Sequence, residues 1–349
     1  MTREGNLRLA LANNSDLHDP TMRFLEACGL SVERSSARRY TATIPSLAGV
    51  TVLFQRSADI PAKVEEGSAD LGIAGLDRFL EVREEDGDTA LLIDRLGYSH
   101  CELVIGVPDA WIDVSSVVDL ADVSLALREK GRQLRVVTKY PRLTQQFFLG
   151  RGVNYFTCVD ASGAMEAAPF MGYADIIVDI TSSGVTLREN RLKTIAEGTI
   201  LRSQACFIGN LRLLREDPMK LEITKGMLEL IEARLRSLGY YSITANIRGD
   251  SAEAVAQHVI SCQDVAGIQG PTVSKVYSRL TEEQDWFAVT VVVARNRLLR
   301  SVEHLREIGG SGITVLPASY VFEKESTAYS RLLGELRSFG KKTSRRSVV

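Results

Sequence analysis

The stretch ADIIVDITSSGVTLRENRL, Ala174 to Leu192, decides how the rest of the chain is read. An apolar run ends in an acid, Asp179. Hydroxyl residues then surround Gly184, and a polar segment follows. The run reads as a strand buried on both faces, as in parallel sheets covered by helices. In open α/β sheets, ligands gather beyond the carboxyl ends of such strands. There Thr181, Ser182, Ser183 and Thr186 offer hydroxyls, and Gly184 permits close backbone approach. A helix beginning near Leu187 would turn its free N–H groups toward the loop. Two readings stand open: a phosphate cradle, or a strand-to-helix turn whose Ser and Thr serve only their own backbone.

The same alternation extends in both directions. LRLALA (Leu7–Ala12), VTVLFQ (Val50–Gln55), LGIAG (Leu71–Gly75) and LLIDRL (Leu91–Leu96) read as strands. Asp19-Pro20 marks a helix start, and DIPAKVEEG reads as a helix between the second and third strands. CELVIGV and LRVVTKY continue the pattern, and a helix is expected from Pro141 to Leu149. Strand–helix units repeated over this length predict two α/β lobes flanking a cleft.

Beyond Asp217-Pro218 a long amphipathic helix is expected, with Leu221, Met227, Leu228, Ile231, Leu235 and Leu238 as its stripe. YYSITANI, SAEAVAQHVI, TVSKVYSRL, WFAVTVVVAR, RLLRSVEHLREIGG and GITVLP then follow in the order β-α-β-β-α-β, which predicts a ferredoxin-like module. Gly309 to Gly312 reads as a helix C-cap rather than a nucleotide loop. The basic end, KKTSRRSVV, is expected to be disordered.

Composition excludes several function classes. The chain has 349 residues, 45% of them hydrophobic and 25% charged, with formal net charge −2. That argues against a nucleic-acid or membrane partner. No stretch reads as a signal peptide or membrane span, so a cytoplasmic protein is expected. Cys28, Cys101, Cys158, Cys206 and Cys262 are too far apart for a zinc site and read as free thiols. His18, His100, His258 and His304 are scattered, and Glu84, Glu85 and Asp86 read as a solvated turn. No nucleophile–base motif stands out.

Several motifs, in order, resemble ATP phosphoribosyltransferase, the first enzyme of histidine biosynthesis, in its long form. DITSSGVTLRENRL resembles that family's phosphoribosyl-pyrophosphate loop, and GSADLGIAGLD (Gly67–Asp77) its nucleotide-side turn. SGAMEAAPFMGYADIIVDI, SQACFI and Tyr140-Pro141 match further segments. IRGDSAEAVAQHV, GIQGPTVSKVY and GGSGITVLP resemble its regulatory domain.

The resemblance implies a two-lobed catalytic part of the type II periplasmic-binding class with a ferredoxin-like regulatory domain. Residues 1–97 and 188–222 are then the first lobe and 98–187 the second. Residues 223–325 are the regulatory domain, and 326–349 a C-terminal helix and basic tail. The implied reaction joins N1 of ATP to C1 of phosphoribosyl pyrophosphate and releases pyrophosphate. Mg²⁺ is carried on substrate phosphates without dedicated protein ligands. Histidine is the implied feedback inhibitor, and the implied assembly is a homo-oligomer between dimer and hexamer.

The implied catalytic residues are Arg56, Glu166 and Asp179. Asp179, Thr181, Ser182, Ser183, Gly184, Val185 and Thr186 would hold phosphoribosyl pyrophosphate. Arg56, Gly75, Asp77, Tyr140 and Glu166 would hold ATP, and Asp250, Ser251 and Ser311 the effector. On the residues alone, Glu166 is equally a charge suited to a helix start.

The chain departs from the family after its first strand. The usual Lys-Gly-Arg-like stretch is Asn13-Asn14-Ser15-Asp16-Leu17, and Ser57 stands for a proline after Arg56. Each charge-assisted bond contributes about 1.5–3 kcal/mol, so two lost cations would slow the reaction by orders of magnitude. Arg38, Arg56, Lys139 or Arg142 are the available replacements. The departure motivates an alternative, a catalytically weakened paralogue acting as a regulatory or ligand-binding subunit. A solute-binding protein of the same two-lobed class is a further alternative, which the ferredoxin-like module disfavours.

Overall fold

The computed structural model describes residues 6–36, 38–160, 165–262, 267–277 and 285–346. The chain divides into two compact units, Met1–Thr224 with Arg331–Val349, and Lys225–Ser330.

The first unit holds two sheets. Strands β1 (Leu7–Ala12), β2 (Thr41–Thr43), β3 (Val50–Gln55), β4 (Leu71–Gly75) and β5 (Thr89–Ile93) belong to one. Strands β6 (Cys101–Pro108), β7 (Leu134–Thr138), β8 (Phe156–Asp160), β9 (Ile176–Thr181) and β10 (Leu192–Ser203) form the other, and β11 (Ala205–Asn210) returns to the first. Among the described residues the orders are β2-β3-β1-β4-β11-β5 and β10-β6-β9-β7-β8. β1 runs parallel to β3 and β4, and β7 parallel to β8 and β9. β11 and β6 are antiparallel to their neighbours because the chain enters each from the opposite lobe.

The lobe boundary differs from the sequence expectation. Residues 192–203 belong to the second sheet, where β10 pairs along β6 from Leu192↔Pro108 to Ser203↔Cys101. Its apolar alternation is broken by a bulge between Thr194 and Thr199, with Glu197 in the left-handed region at φ 57°. A bulge interrupts the period of two by which a strand is recognised.

The helices are α1 (His18–Ala27), α2 (Ile60–Glu65), α3 (Leu76–Val82), α4 (Val117–Glu129), α5 (Pro141–Gly150), α6 (Ala168–Met171), α7 (Val185–Glu189) and α8 (Leu211–Glu216). α1 begins one residue before Asp19, which therefore sits in the first turn rather than capping it. Pro61 and Pro141 lie in the first turns of α2 and α5, where a missing N–H costs nothing. In α4, Ser116 and Asp119 form a reciprocal capping box.

Helix α9 (Pro218–Ser237) starts in the first unit, where Asp217 accepts from Met219 N and Lys220 N. Met227, Leu228 and Ile231 of its stripe are fully buried, whereas Leu238 is exposed.

In the second unit, β12 (Tyr240–Gly249), α10 (Ala252–Ile260), β13 (Thr272–Val276), β14 (Asp285–Ala294), α11 (Leu298–Glu307) and β15 (Ser311–Pro317) form a sheet ordered β13-β14-β12-β15. All three pairings are antiparallel, which is the ferredoxin-like βαββαβ topology. Ile243, Ala245, Ile247, Val289 and Val291 are buried against the helices, alternating with less buried neighbours.

Helix α12 (Thr327–Arg346) follows, so the basic end expected to be disordered is helical as far as Arg346, and Ser347–Val349 lie outside the described residues. Ala328, Leu332 and Leu336 recur every fourth residue and are buried, which anchors the helix.

Candidate functional site

The polypeptide crosses between the two lobes at residues 94–100 and again at Gln204. The crossings are laced together. Leu96 N donates to Ala205 O at 3.0 Å, Ala205 N to Tyr98 O at 3.0 Å, and Leu76 N to Gln204 O at 2.9 Å. Gly97 N reaches the Gln204 Oε1 at 2.9 Å. The cleft that results holds two cavities which share His100, Cys101 and Ser182.

The larger cavity, about 950 Å³, takes in Thr181, Ser182, Ser183 and Gly184, which face Arg95, Arg188 and Arg202. Asp179 ends the buried part of β9, and Thr181 Oγ1 accepts from Gly184 N at 2.8 Å. That bond folds the loop, and Gly184 adopts φ 70° at its tip, a conformation costly for any residue with a Cβ. Helix α7 then opens at Val185 but has only five residues. The loop's capacity for an anion therefore rests on hydroxyls, N–H groups and arginines rather than on a long dipole. Arg188 follows Gly184 by one turn, within the very motif that drew attention to the loop. Its residue type and spacing were legible but unread.

Burial pushes the Asp179 carboxyl above its ordinary range, despite the bond it accepts from Ile180 N. The Glu166 charge pushes the same way, while Lys139 and Arg78 pull it down. Glu166 lies in a single 3₁₀ turn (Met165–Ala167), close enough for its charge to act on Asp179.

The smaller cavity, about 420 Å³, is lined from both lobes, by Ser15, Asp16, Gly75 and Arg78 from one and Tyr140 and Ile180 from the other. The Asn13–Asp16 loop therefore faces the phosphate loop. Arg34 Nη1 donates to Asn13 Oδ1 at 3.3 Å, with its guanidinium 4.3 Å from the Phe54 ring centroid. Arg56 follows β3, whose Gln55 pairs with Ala12, so it stands beside the same loop and is exposed. Arg34 was missed because nothing in its sequence surroundings marks it.

Asp77 and Tyr140 fasten the lobes together. Tyr140 is fully buried, and its hydroxyl donates to Asp77 Oδ2 at 2.6 Å. Ser203 Oγ donates to Asp77 Oδ1 at 2.6 Å and accepts from Asp77 N at 3.0 Å. Arg78 lies over the Tyr140 ring at 4.2 Å and donates to Lys139 O at 3.3 Å. Glu81 of α3 caps α5, accepting from Arg142 N at 2.8 Å and Leu143 N at 3.0 Å, and the Arg142 guanidinium returns to Arg83 O. Arg142 is thereby committed to this fastening rather than to the cleft.

In the second unit Ser251 caps α10, accepting from Ala254 N at 3.1 Å. Ser311 Oγ bonds Asn246 O at 3.3 Å, and Asp250 is exposed. All three lie at one end of the sheet, because Ser311 pairs with Asn246 near the end of β12. Among the described residues no three His, Cys, Asp or Glu side chains form a metal-binding group. No helix among them is long and apolar enough to cross a membrane.

Comparison with known proteins places these features. The family model for ATP phosphoribosyltransferase, HisG, matches residues 56–235, and that for the HisG C-terminal domain matches residues 238–320. The chain is 37% identical over 334 residues to the chloroplastic ATP phosphoribosyltransferase 2 of Arabidopsis thaliana, covering 95% of this chain and 80% of that protein. It is 32% identical over 331 residues to the ATP phosphoribosyltransferase of Bradyrhizobium diazoefficiens, covering 94% and 98%. A solved HisG:HisZ complex from Thermotoga maritima aligns with TM-score 0.48 at 24% identity, over 65% of this chain and 98% of that one.

Proposed function

The chain belongs to the ATP phosphoribosyltransferase family, and from that membership and its two joined cavities we propose that it is a transferase of the first step of histidine biosynthesis, joining N1 of ATP to C1 of phosphoribosyl pyrophosphate and releasing pyrophosphate. The larger cavity receives phosphoribosyl pyrophosphate, with its 5-phosphate in the Thr181–Thr186 loop. The observation that carries this is the hydroxyl-lined loop, with a carboxylate at its root, sharing one cavity with three arginines. ATP occupies the smaller cavity, beside Gly75, Asp77 and Tyr140. The reacting atoms meet where the cavities join, at His100, Cys101 and Ser182.

The chemistry asks for positioning and charge rather than a nucleophile. An oxocarbenium-like sugar must be held between nucleophile and leaving group. Asp179 accepts from the ribose hydroxyls, and Mg²⁺ would be carried on the substrate phosphates without dedicated protein ligands. Bound there, Mg²⁺ would supply positive charge to offset that of the departing pyrophosphate. Arg95, Arg188 and Arg202 offset the remaining charge, although Arg202 shares its guanidinium with Glu102 at 3.0 Å and Arg95 with Asp94 at 3.7 Å. These arginines answer the loss of cations from the Asn13–Asp16 loop and favour the active enzyme over the weakened paralogue.

Histidine feedback through the second unit, a homo-oligomer and a cytoplasmic location complete the proposal. The deciding assay mixes the purified chain with MgATP and phosphoribosyl pyrophosphate and follows pyrophosphate. Turnover at ordinary enzymatic rates is expected. Its absence, with the protein folded, would leave the binding-subunit reading standing.

A further inference from the structure

The two cleft cavities meet at His100, Cys101 and Ser182. His100 ends the first crossing between the lobes, and the backbone pins it from both sides. Before it, Leu96 N, Gly97 N and Tyr98 O are bonded to Gln204 and Ala205. After it, Cys101 pairs with Ser203 where β6 meets β10. Between these anchors Ser99 turns the chain at φ 53°, in the left-handed region that residues with a Cβ seldom occupy. Strain of that kind gathers where a side chain is held for use.

The His100 side chain is exposed, and among the described residues it has no hydrogen-bond or ion-pair partner. Imidazole is the side chain suited to taking and giving a proton near neutrality. The other groups around it are committed or reach one cavity alone. Burial and the Asp77 charge push the Cys101 thiol up, so it stays protonated. On the smaller side, Asp77 accepts from Tyr140 and Ser203, and burial holds the Tyr140 hydroxyl far above its ordinary range. Arg78 is a permanent cation, and Asp16 borders only that cavity. On the larger side, Glu102 pairs with Arg202 and Asp94 with Arg95, while Arg188 is a further cation.

We infer that His100 is a catalytic residue of the transfer, relaying a proton from the adenine amine in the smaller cavity to the pyrophosphate leaving in the larger one. This rests on the reading of the two cavities as the ATP and phosphoribosyl pyrophosphate sites. As the N1 lone pair forms the bond to C1, the C1–O bond breaks and its electron pair leaves on pyrophosphate. The adenine ring then carries positive charge, which acidifies its 6-amino N–H. A ring nitrogen of neutral His100 takes that proton. The electron pair of the N–H bond forms the C6=N6 imine, which discharges the ring. The imidazolium passes its proton to pyrophosphate, whose negative charge has just risen, and is neutral again. No further reactant is required.

The test follows single turnovers of the full chain with MgATP and phosphoribosyl pyrophosphate, so that slow product release does not mask the chemical step. His100→Ala is expected to lower the rate about 100-fold, the size of a lost acid–base group. Because the side chain is exposed, its melting temperature and calorimetric affinity for ATP should match the wild type. Added imidazole should restore part of the rate, and the rescued rate should rise with pH as the free imidazole loses its proton. The wild-type rate should decline toward acid pH more steeply than that of His100→Ala, since every other group around the cavities is common to both.

A wild-type single-turnover rate in His100→Ala would overturn the inference and leave the reaction standing. So would pH profiles of the same shape in the two proteins. A lowered rate that imidazole does not restore, or that ATP affinity follows in proportion, would show a role in shape or binding and overturn it equally. Pyrophosphate release by the wild type tests the reaction separately. If the folded wild type releases none, the reaction itself fails and the proton relay falls with it.

Discussion

Asp179 is held in an unfavourable state by the fold that makes it useful. Its carboxyl titrates above the ordinary value because of burial and of Glu166. Such a group adds stability below the ordinary carboxylate pKa of about 4, and that contribution is lost as pH rises through the raised value. Asp179→Asn should therefore melt above the wild type near neutrality, and the gap should close as pH falls toward about 4. A thermal scan across pH checks this, and kcat/KM should fall in the same variant.

Asp70 behaves oppositely. Burial alone would raise its carboxyl, but bonds from Arg8 and Lys220 outweigh it and hold the group below its ordinary value. Its stabilisation is present above the ordinary carboxylate pKa and is lost as pH falls through the depressed one. Asp70→Asn leaves two cations without their buried partner and should cost about 3–5 kcal/mol in urea unfolding. Tyr140→Phe leaves Asp77 Oδ2 short of a donor and should cost about 1–3 kcal/mol by the same measurement.

At the scale of elements, the strand-and-loop grammar was legible and the partnerships were not. β9 and its loop were readable from an apolar run, an acid and a hydroxyl-rich glycine turn, and the ferredoxin-like order followed from alternating periods. β10 was misplaced because its bulge broke the period on which recognition depends. Arg34 and Arg78 gave no signal because their roles come from tertiary neighbours, an aromatic ring and a carbonyl or amide, far away in sequence. Asp77 and Tyr140 were singled out by motif, but only coordinates show them bonded across the lobes. The C-terminal helix and the basic tail were expected as separate pieces, and the structure continues the helix through the basic residues to Arg346. Leu332→Ala should cost about 2–5 kcal/mol of unfolding free energy, measured in denaturant, since the side chain is fully enclosed.

At the scale of the whole molecule, the two units divide the proposed labour. Substrate chemistry belongs to the first, whose cleft is built from two sheets. Effector binding is proposed for the second, a continuous ferredoxin-like stretch. Histidine at millimolar concentration is expected to raise the melting temperature and to slow pyrophosphate release. An unchanged melting curve together with an unchanged rate would remove the effector role.

The first unit, by contrast, is discontinuous. Its residues from Arg331 onward are separated from the rest by the entire second unit. A chain growing on a ribosome has therefore made both sheets, and then all of β12 to β15, before Leu332 and Leu336 exist to complete the first unit. The second unit is fully translated while the first still lacks its last helix. The catalytic half is thus begun first and finished last, and a chain halted before Arg331 would leave the ribosome with that half unsealed.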